Sequence, residues 1–271
     1  MRLAATLPSI EIPNVRRSAM IALAILPTLA TASPPGATMP DGLQVGVLAY
    51  HYKYKEPGLM QLEGPKFGVR ALYGQTDDSG KHGRVEVMGS YGQVDYRSVR
   101  TGASPDLDDM TLELRALFGV DFVAAGGSSV MPYAGLGYRY LYNDARGINI
   151  TNGTIFVGYR RESNYLYLPL GVMARHGAFL ANAEVDVLLR GRQKSYMSDV
   201  DPGDNDIKNK QKGGWGARLG LMFDAGKFSI GPWINYWRIK ESDWVPINAT
   251  TIGREPRNWT VESGLELRFR F

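Results

Sequence analysis

The chain has 271 residues, 44% hydrophobic and 11% aromatic, with 32 glycines and a formal net charge of +4. Its mean hydropathy of −0.22 is too polar for a bundle of membrane helices, and Lys and Arg are scattered, with no run that suggests a nucleic-acid partner. The lack of Cys excludes disulfides, thiolate metal sites, a Cys nucleophile and a lipidated N-terminal Cys. Three His (His51, His82, His176) are a poor basis for a multi-His metal site, and neither cofactor nor metal is predicted.

Residues 1–32 read as an export signal. Arg16 and Arg17 precede the apolar stretch "SAMIALAILPTLATA", and Ala30-Thr31-Ala32 fits a small-residue cleavage site before Ser33. That stretch is shorter than the ~20 residues a spanning helix needs. Residues 33–42 form a short periplasmic leader rich in Pro and Gly, and 43–271 form one domain.

Within that domain alternating segments follow one another at 43–55, 65–76, 84–98, 109–124, 129–144, 164–175, 178–195, 213–225, 227–241 and 258–271. Successive side chains leave opposite faces of a strand, so alternation signals β structure. Most segments reach the ~9–11 residues that cross a bilayer at a tilt. Connections after even strands are brief ("HGA", "AGK"). Those after odd strands are longer and polar ("EPGLMQLEGP", "RTGASPDLD", "RGINITNGTIFVGYRRESN"). The prediction is an all-β fold: a transmembrane antiparallel up-and-down barrel of about ten strands, with short periplasmic turns and long extracellular loops.

Faces follow from parity. The fourth strand sets Met110, Leu112, Leu114, Ala116 and Phe118 against Glu113, Arg115 and Asp121. The seventh sets Phe179, Ala181, Ala183, Val185, Val187 and Leu189 against Glu184, Asp186, Arg190 and Arg192. An unbroken apolar face suits lipid, so the charged face is predicted to line the interior. The same rule, applied to every strand, collects Arg70, Glu86, Glu113, Arg115, Asp121, Arg139, Arg175, Glu184, Asp186, Arg190, Arg192, Arg218, Asp224, Glu262, Glu266, Arg268 and Arg270. Side chains largely fill a barrel of this size, so opposite charges are expected to interlock into a plug. A narrow solute channel is the alternative. The third and ninth strands split less cleanly, since Trp233 and Trp237 fall opposite Ile230, Ile234 and Tyr236. Tyr50, Tyr52, Tyr54, Tyr138, Tyr140, Tyr142, Tyr165, Tyr167, Trp215, Trp244 and Trp259 cluster near strand ends, as interfacial girdles do where such rings face lipid.

The last strand, "SGLELRFRF", places Leu265, Leu267, Phe269 and Phe271 on one face. It resembles the C-terminal signature of bacterial outer-membrane proteins, which implies recognition by the barrel-assembly machinery of a Gram-negative cell. The ten-strand layout resembles the omptins, the outer-membrane proteases. That resemblance implies one acidic pair in the second outer loop facing an Asp-His pair beside the fourth. This chain offers Asp106, Asp108 and Asp109 in "PDLDD" and Asp204 and Asp206 in "DNDIK", but Lys208 stands where the imidazole belongs. His51 falls on the presumed interior face of the first strand and matches no motif. Asp199, Asp201, Asp204 and Asp206 are hard oxygen ligands close in sequence, without the closing Glu of a Ca²⁺ loop. Arg160, Arg161, Lys208, Lys210, Lys212, Arg254 and Arg257 set positive charge near the outer rim, where lipopolysaccharide phosphates lie. The leading expectation is a monomeric surface protein of the outer membrane that works through its loops, in contact with lipid and lipopolysaccharide. A small porin and an omptin-like protease are the alternatives.

Overall fold

The computed structural model describes residues 37–124 and 126–271. The export signal and the first residues of the leader lie outside the described residues. In chain order the strands are β1 (Gly42–Glu56), β2 (Met60–Thr76), β3 (Lys81–Ser98), β4 (Gly102–Val120), β5 (Phe122–Ala124), β6 (Ser128–Thr151), β7 (Thr154–His176), β8 (Phe179–Ser195), β9 (Ile207–Gln211), β10 (Gly214–Ala225), β11 (Phe228–Ile239), β12 (Val245–Pro246), β13 (Ile252–Gly253) and β14 (Asn258–Arg270). Ten long strands form a closed antiparallel ring, β1-β2-β3-β4-β6-β7-β8-β10-β11-β14, with β14 returning to β1 from Gln44 opposite Arg270 to Lys55 opposite Trp259. Closure leaves no free sheet edge, the condition for strands in lipid. β5 continues β4 along β6, and β9 continues β10 along β8.

One end of the ring is made of tight turns. β7–β8 and β10–β11 are two-residue hairpins whose first residues, Gly177 and Gly226, have φ of 56° and 71°, a region that only Gly enters without strain. The other end differs from the sequence expectation. Three of the predicted long loops are paired backbone: β1 and β2 are joined by residues 57–59, β3 and β4 by 99–101, and β6 and β7 by 152–153. Above the lipid both faces of a strand meet water, so the ladder continues after the apolar alternation has ended. Only the β8–β10 and β11–β14 connections are long. The first contains the 3-10 helix Met197–Asp199 and β9, the second the small β12–β13 hairpin.

The outward face carries a continuous apolar band, with Phe67 66%, Leu114 49%, Phe118 57% and Leu219 57% exposed. A contiguous patch of this extent is foreign to a soluble monomer. The inward face is mixed. Met39, Leu117, Met131, Met173, Leu180 and Met222 pack at the turn end, an ionic layer lies above them, and Tyr50, Tyr52, Tyr54, Leu62, Val94 and Leu107 form an aromatic and aliphatic layer towards the loop end.

Several predicted orientations are corrected. Tyr50, Tyr52, Tyr54, Tyr165 and Tyr167 point inward and are buried, so they belong to no lipid girdle, whereas Tyr138 and Trp215 do face outward. His51 points outward and meets Glu63 at 3.1 Å. Trp233 and Trp237 point inward, which blurs the faces of β11: its interior side carries two Trp and Ile239 as well as Ser229 and Asn235.

Candidate functional site

The centre of the lumen is a lattice of ion pairs. β4 supplies Glu113 and Arg115, β8 supplies Glu184 and Asp186, and β10 supplies Arg218, all projecting inward at alternate positions. Arg218 clasps Glu113 with both Nη atoms, at 2.8 and 2.6 Å, while its Nε lies 2.7 Å from Asp186 and 3.1 Å from Glu184. Arg115 bridges Glu86, at 2.9 Å, and Glu184. Arg139 reaches Glu262 at 2.5 Å, and Tyr167 donates to Glu113 at 2.8 Å. Nearer the turn end Glu266 is shared by Arg70 and Arg268, both at 2.9 Å. At the turn end itself Asp224 takes Arg175 at 2.6 Å and Arg270 at 3.4 Å. Asp121 accepts from the backbone N–H and hydroxyl of Thr38. Met39 beside it is 1% exposed, inside the barrel mouth. Thr38 and Met39 thus close the turn end of the lumen, which the composition of this segment did not signal.

Arg190 and Arg192 are corrected: both are exposed on the outer face. Between Leu166 and Tyr167 of β7 the register with β8 shifts, Leu166 facing Arg190 and Tyr167 facing Leu188. The bulge places Leu189 and Arg190 on the same side and inverts parity beyond it. The interior set drawn from the sequence also omits Lys66, Arg84 and Asp109. Lys66, fully buried, meets Asp109 at 2.5 Å and Thr111 at 2.8 Å, and Arg84 meets Glu86 at 2.5 Å. Lys66 stands four residues before Arg70, so simple parity would have found it.

At the loop end a second polar cluster closes the lumen. Tyr54 donates to Glu56 at 2.9 Å and to Glu255 at 3.0 Å, and Arg161 meets Glu56 at 2.8 Å. Gln193 donates to Glu255. Burial, and then the neighbouring Glu56, push Glu255 up to about 8. Arg161, read from sequence as a rim cation, is therefore an internal counter-ion.

The outer face of β8 and β9 carries the inverse arrangement. Arg192 stands opposite Lys210 and Lys194 opposite Lys208, with Arg190 and Lys212 next to the Gly191–Gln211 pair that ends the ladder. Lys194 meets Asp206 at 3.0 Å and Lys212 meets Asp243 at 2.5 Å. Arg190, Arg192, Lys208 and Lys210 have no ion pair among the described residues. Like charges directly opposite one another destabilise a sheet. This ladder sits just above Leu189 and Trp215, where the apolar band ends.

The carboxylates that the omptin resemblance pointed to do not converge. Asp108 faces outward and accepts from Tyr91, while Asp109 faces inward to Lys66. Asp206 is engaged by Lys194 and Ser198, Asp204 by Asn248, and Asp199 by Arg160. No group of three or more His, Asp or Glu suited to a metal ion occurs among the described residues.

A closed antiparallel ring with lipid-compatible side chains outside and ion pairs within is the architecture of an outer-membrane β-barrel. No family model matches the chain, and no curated protein matches it in sequence. Among solved structures, the outer membrane protease OmpT from Escherichia coli is similar at a TM-score of 0.55 and 11% identity, over 89% of this chain and 99% of that one. Neisserial surface protein A gives 0.35 and 12%, over 85% and 98%. Ail, the attachment invasion locus protein of Yersinia pestis, gives 0.28 and 12%, over 84% and 99%. The likeness to OmpT is one of fold.

Proposed function

We propose that the protein is a sealed surface barrel of the Gram-negative outer membrane, exported by its N-terminal signal. It acts as a monomer through its loop end and is seated in phosphate-bearing lipid. The observation that carries this reading is the blocked lumen. Ion pairs with side chains under a tenth exposed cross the barrel between Glu86, Arg115, Glu184, Arg218 and Glu113; the cavity beside them holds only about 80 Å³, and one in the tyrosine layer towards the loop end about 20 Å³. A few waters fit there, but no solute path does. Reconstituted in planar bilayers, the protein is expected to be electrically silent. Steady, voltage-robust single-channel current would overturn the reading in favour of a small pore.

Lipopolysaccharide is the lipid that the ladder of Arg190, Arg192, Lys208 and Lys210 best suits, because clustered cations at headgroup depth match its phosphates. The outward Leu265 and Leu267, with Phe269 between a tilted Phe228 at 5.1 Å and an edge-on Phe271 at 4.8 Å, form the surface we assign to recognition by the barrel-assembly machinery.

A further inference from the structure

The lumen cavity of about 80 Å³ has a cationic wall. Arg70, Arg84, Arg115 and Arg268 line it, and Glu86 and Glu266 are the carboxylates among its lining groups. Each carboxylate is already claimed twice. Glu86 lies 2.5 Å from Arg84 and 2.9 Å from Arg115, and Glu266 lies 2.9 Å from both Arg70 and Arg268. These six groups form one cluster: the charges of all four guanidiniums act on Glu86, and that of Glu86 acts on Glu266. Arg84 also faces Arg115 and Arg268 as like charges. One further carboxylate reaches in, Glu184, which meets Arg115 but is shared with Arg218. The layer therefore holds more positive than negative charge. What surface remains is cationic too, since Arg70 keeps 15% of its side chain exposed where Glu266 keeps 2%. Asn182 also lines the cavity, its Oδ1 accepting from Tyr133 while its Nδ2 has no hydrogen-bond partner among the described residues. Unmatched buried charge is costly, and guanidiniums hold anions through short charge-assisted bonds.

We propose that this cavity holds one small inorganic anion of the halide class, chloride in a saline medium, among the guanidiniums of Arg70, Arg84, Arg115 and Arg268. A volume of about 80 Å³ takes such an ion with a water or two, and no organic anion of any size. Met39, which precedes β1, belongs to the same wall, so the ion enters from the turn end. The site lies inside the barrel, and its occupancy does not depend on lipopolysaccharide at the outer face. The folded barrel in nonionic micelles is titrated with sodium chloride against sodium gluconate at constant ionic strength, reading unfolding temperature and chlorine NMR linewidth. Chloride should raise the unfolding temperature saturably, by about 3 °C. A chloride linewidth in excess of the micelle blank should saturate over the same range. Arg84→Gln leaves Glu86 with Arg115, and Arg70→Gln leaves Glu266 with Arg268, so neither strands a carboxylate. Each should cut the excess linewidth about fivefold or more. Lys210→Glu, on the outer face, should leave both signals at wild-type size. No saturable difference between chloride and gluconate in the wild type would overturn the proposal, whatever the variants do. A wild-type response in either arginine variant would overturn it as well. So would loss of the response in Lys210→Glu, which would move the ion to the outer cation ladder.

Discussion

Arg218 shows what a single side chain does in this lumen. It faces Glu113, Glu184 and Asp186 at once, and removing it leaves three carboxylates in a space water cannot flood. Breaking such a buried pair typically costs about 3–5 kcal/mol. Arg218→Met is therefore expected to lose stability of that order in thermal or urea unfolding from micelles. Arg190→Ala, on the outer face, should stay within about 0.5 kcal/mol of wild type. Parity alone gives these two arginines the same environment, so the pair of variants measures the bulge directly. Glu255 makes a different prediction. Its folded-state value of about 8 lies above the ordinary carboxylate value of 4.5. The folded protein therefore keeps this proton where the unfolded chain has lost it. The resulting stability is fully present below 4.5, declines as pH rises towards 8, and changes no further above that. The charged groups around it are Glu56 and Arg161, and Tyr54 and Gln193 donate hydrogen bonds to it. Hydrogen exchange of residues 240–257, corrected for intrinsic rate, should show increasing opening over that window, and Glu255→Gln should flatten the profile.

At the scale of the element, strands below the lipid boundary were legible and those above it were not. Met110 to Phe118 in β4 alternate because one face meets acyl chains and the other meets carboxylates and guanidiniums. From Gly102 to Asp106 the same strand carries no buried side chain, and nothing in the sequence marks its pairing. The β8 bulge was invisible for another reason: Leu188 and Leu189 are both apolar, so a step in parity leaves no trace in residue type. Glu255 stayed hidden because its loop has no period to read, and the Arg161–Glu56 pair because both lie on strand ends beyond the apolar alternation. The cation ladder rests on that same bulge, which turns Arg190 and Arg192 out and sets Arg192 opposite Lys210. Lys210→Glu gives Arg192 an opposite charge across the strands and removes two units of positive charge from the patch. At about 1 kcal/mol per cation near an anionic surface, its binding to lipopolysaccharide-containing vesicles should fall roughly tenfold or more in flotation assays. Binding as tight as wild type would remove the ladder from the proposed function.

For the whole molecule the ring closes between its first and last strands. Twelve residue pairs join β1 to β14, from Gln44 with Arg270 to Lys55 with Trp259. Every other neighbour in the ring is joined to the next by a hairpin or a single connection, so this seam brings together the parts of the domain farthest apart in sequence. Gly264 lies in it, and a Cβ there would stand 2.2 Å from the Ala49 carbonyl oxygen and 2.4 Å from the Tyr50 Cβ. Contacts so remote in sequence are slow to form, so the seam acts as a latch engaged after the remaining ladders. A methyl at position 264 would jam that latch while leaving the nine others free to zip. Gly264→Ala should accumulate as an unlatched sheet, seen on unheated gels as a band that never gains the compact mobility of the finished cylinder.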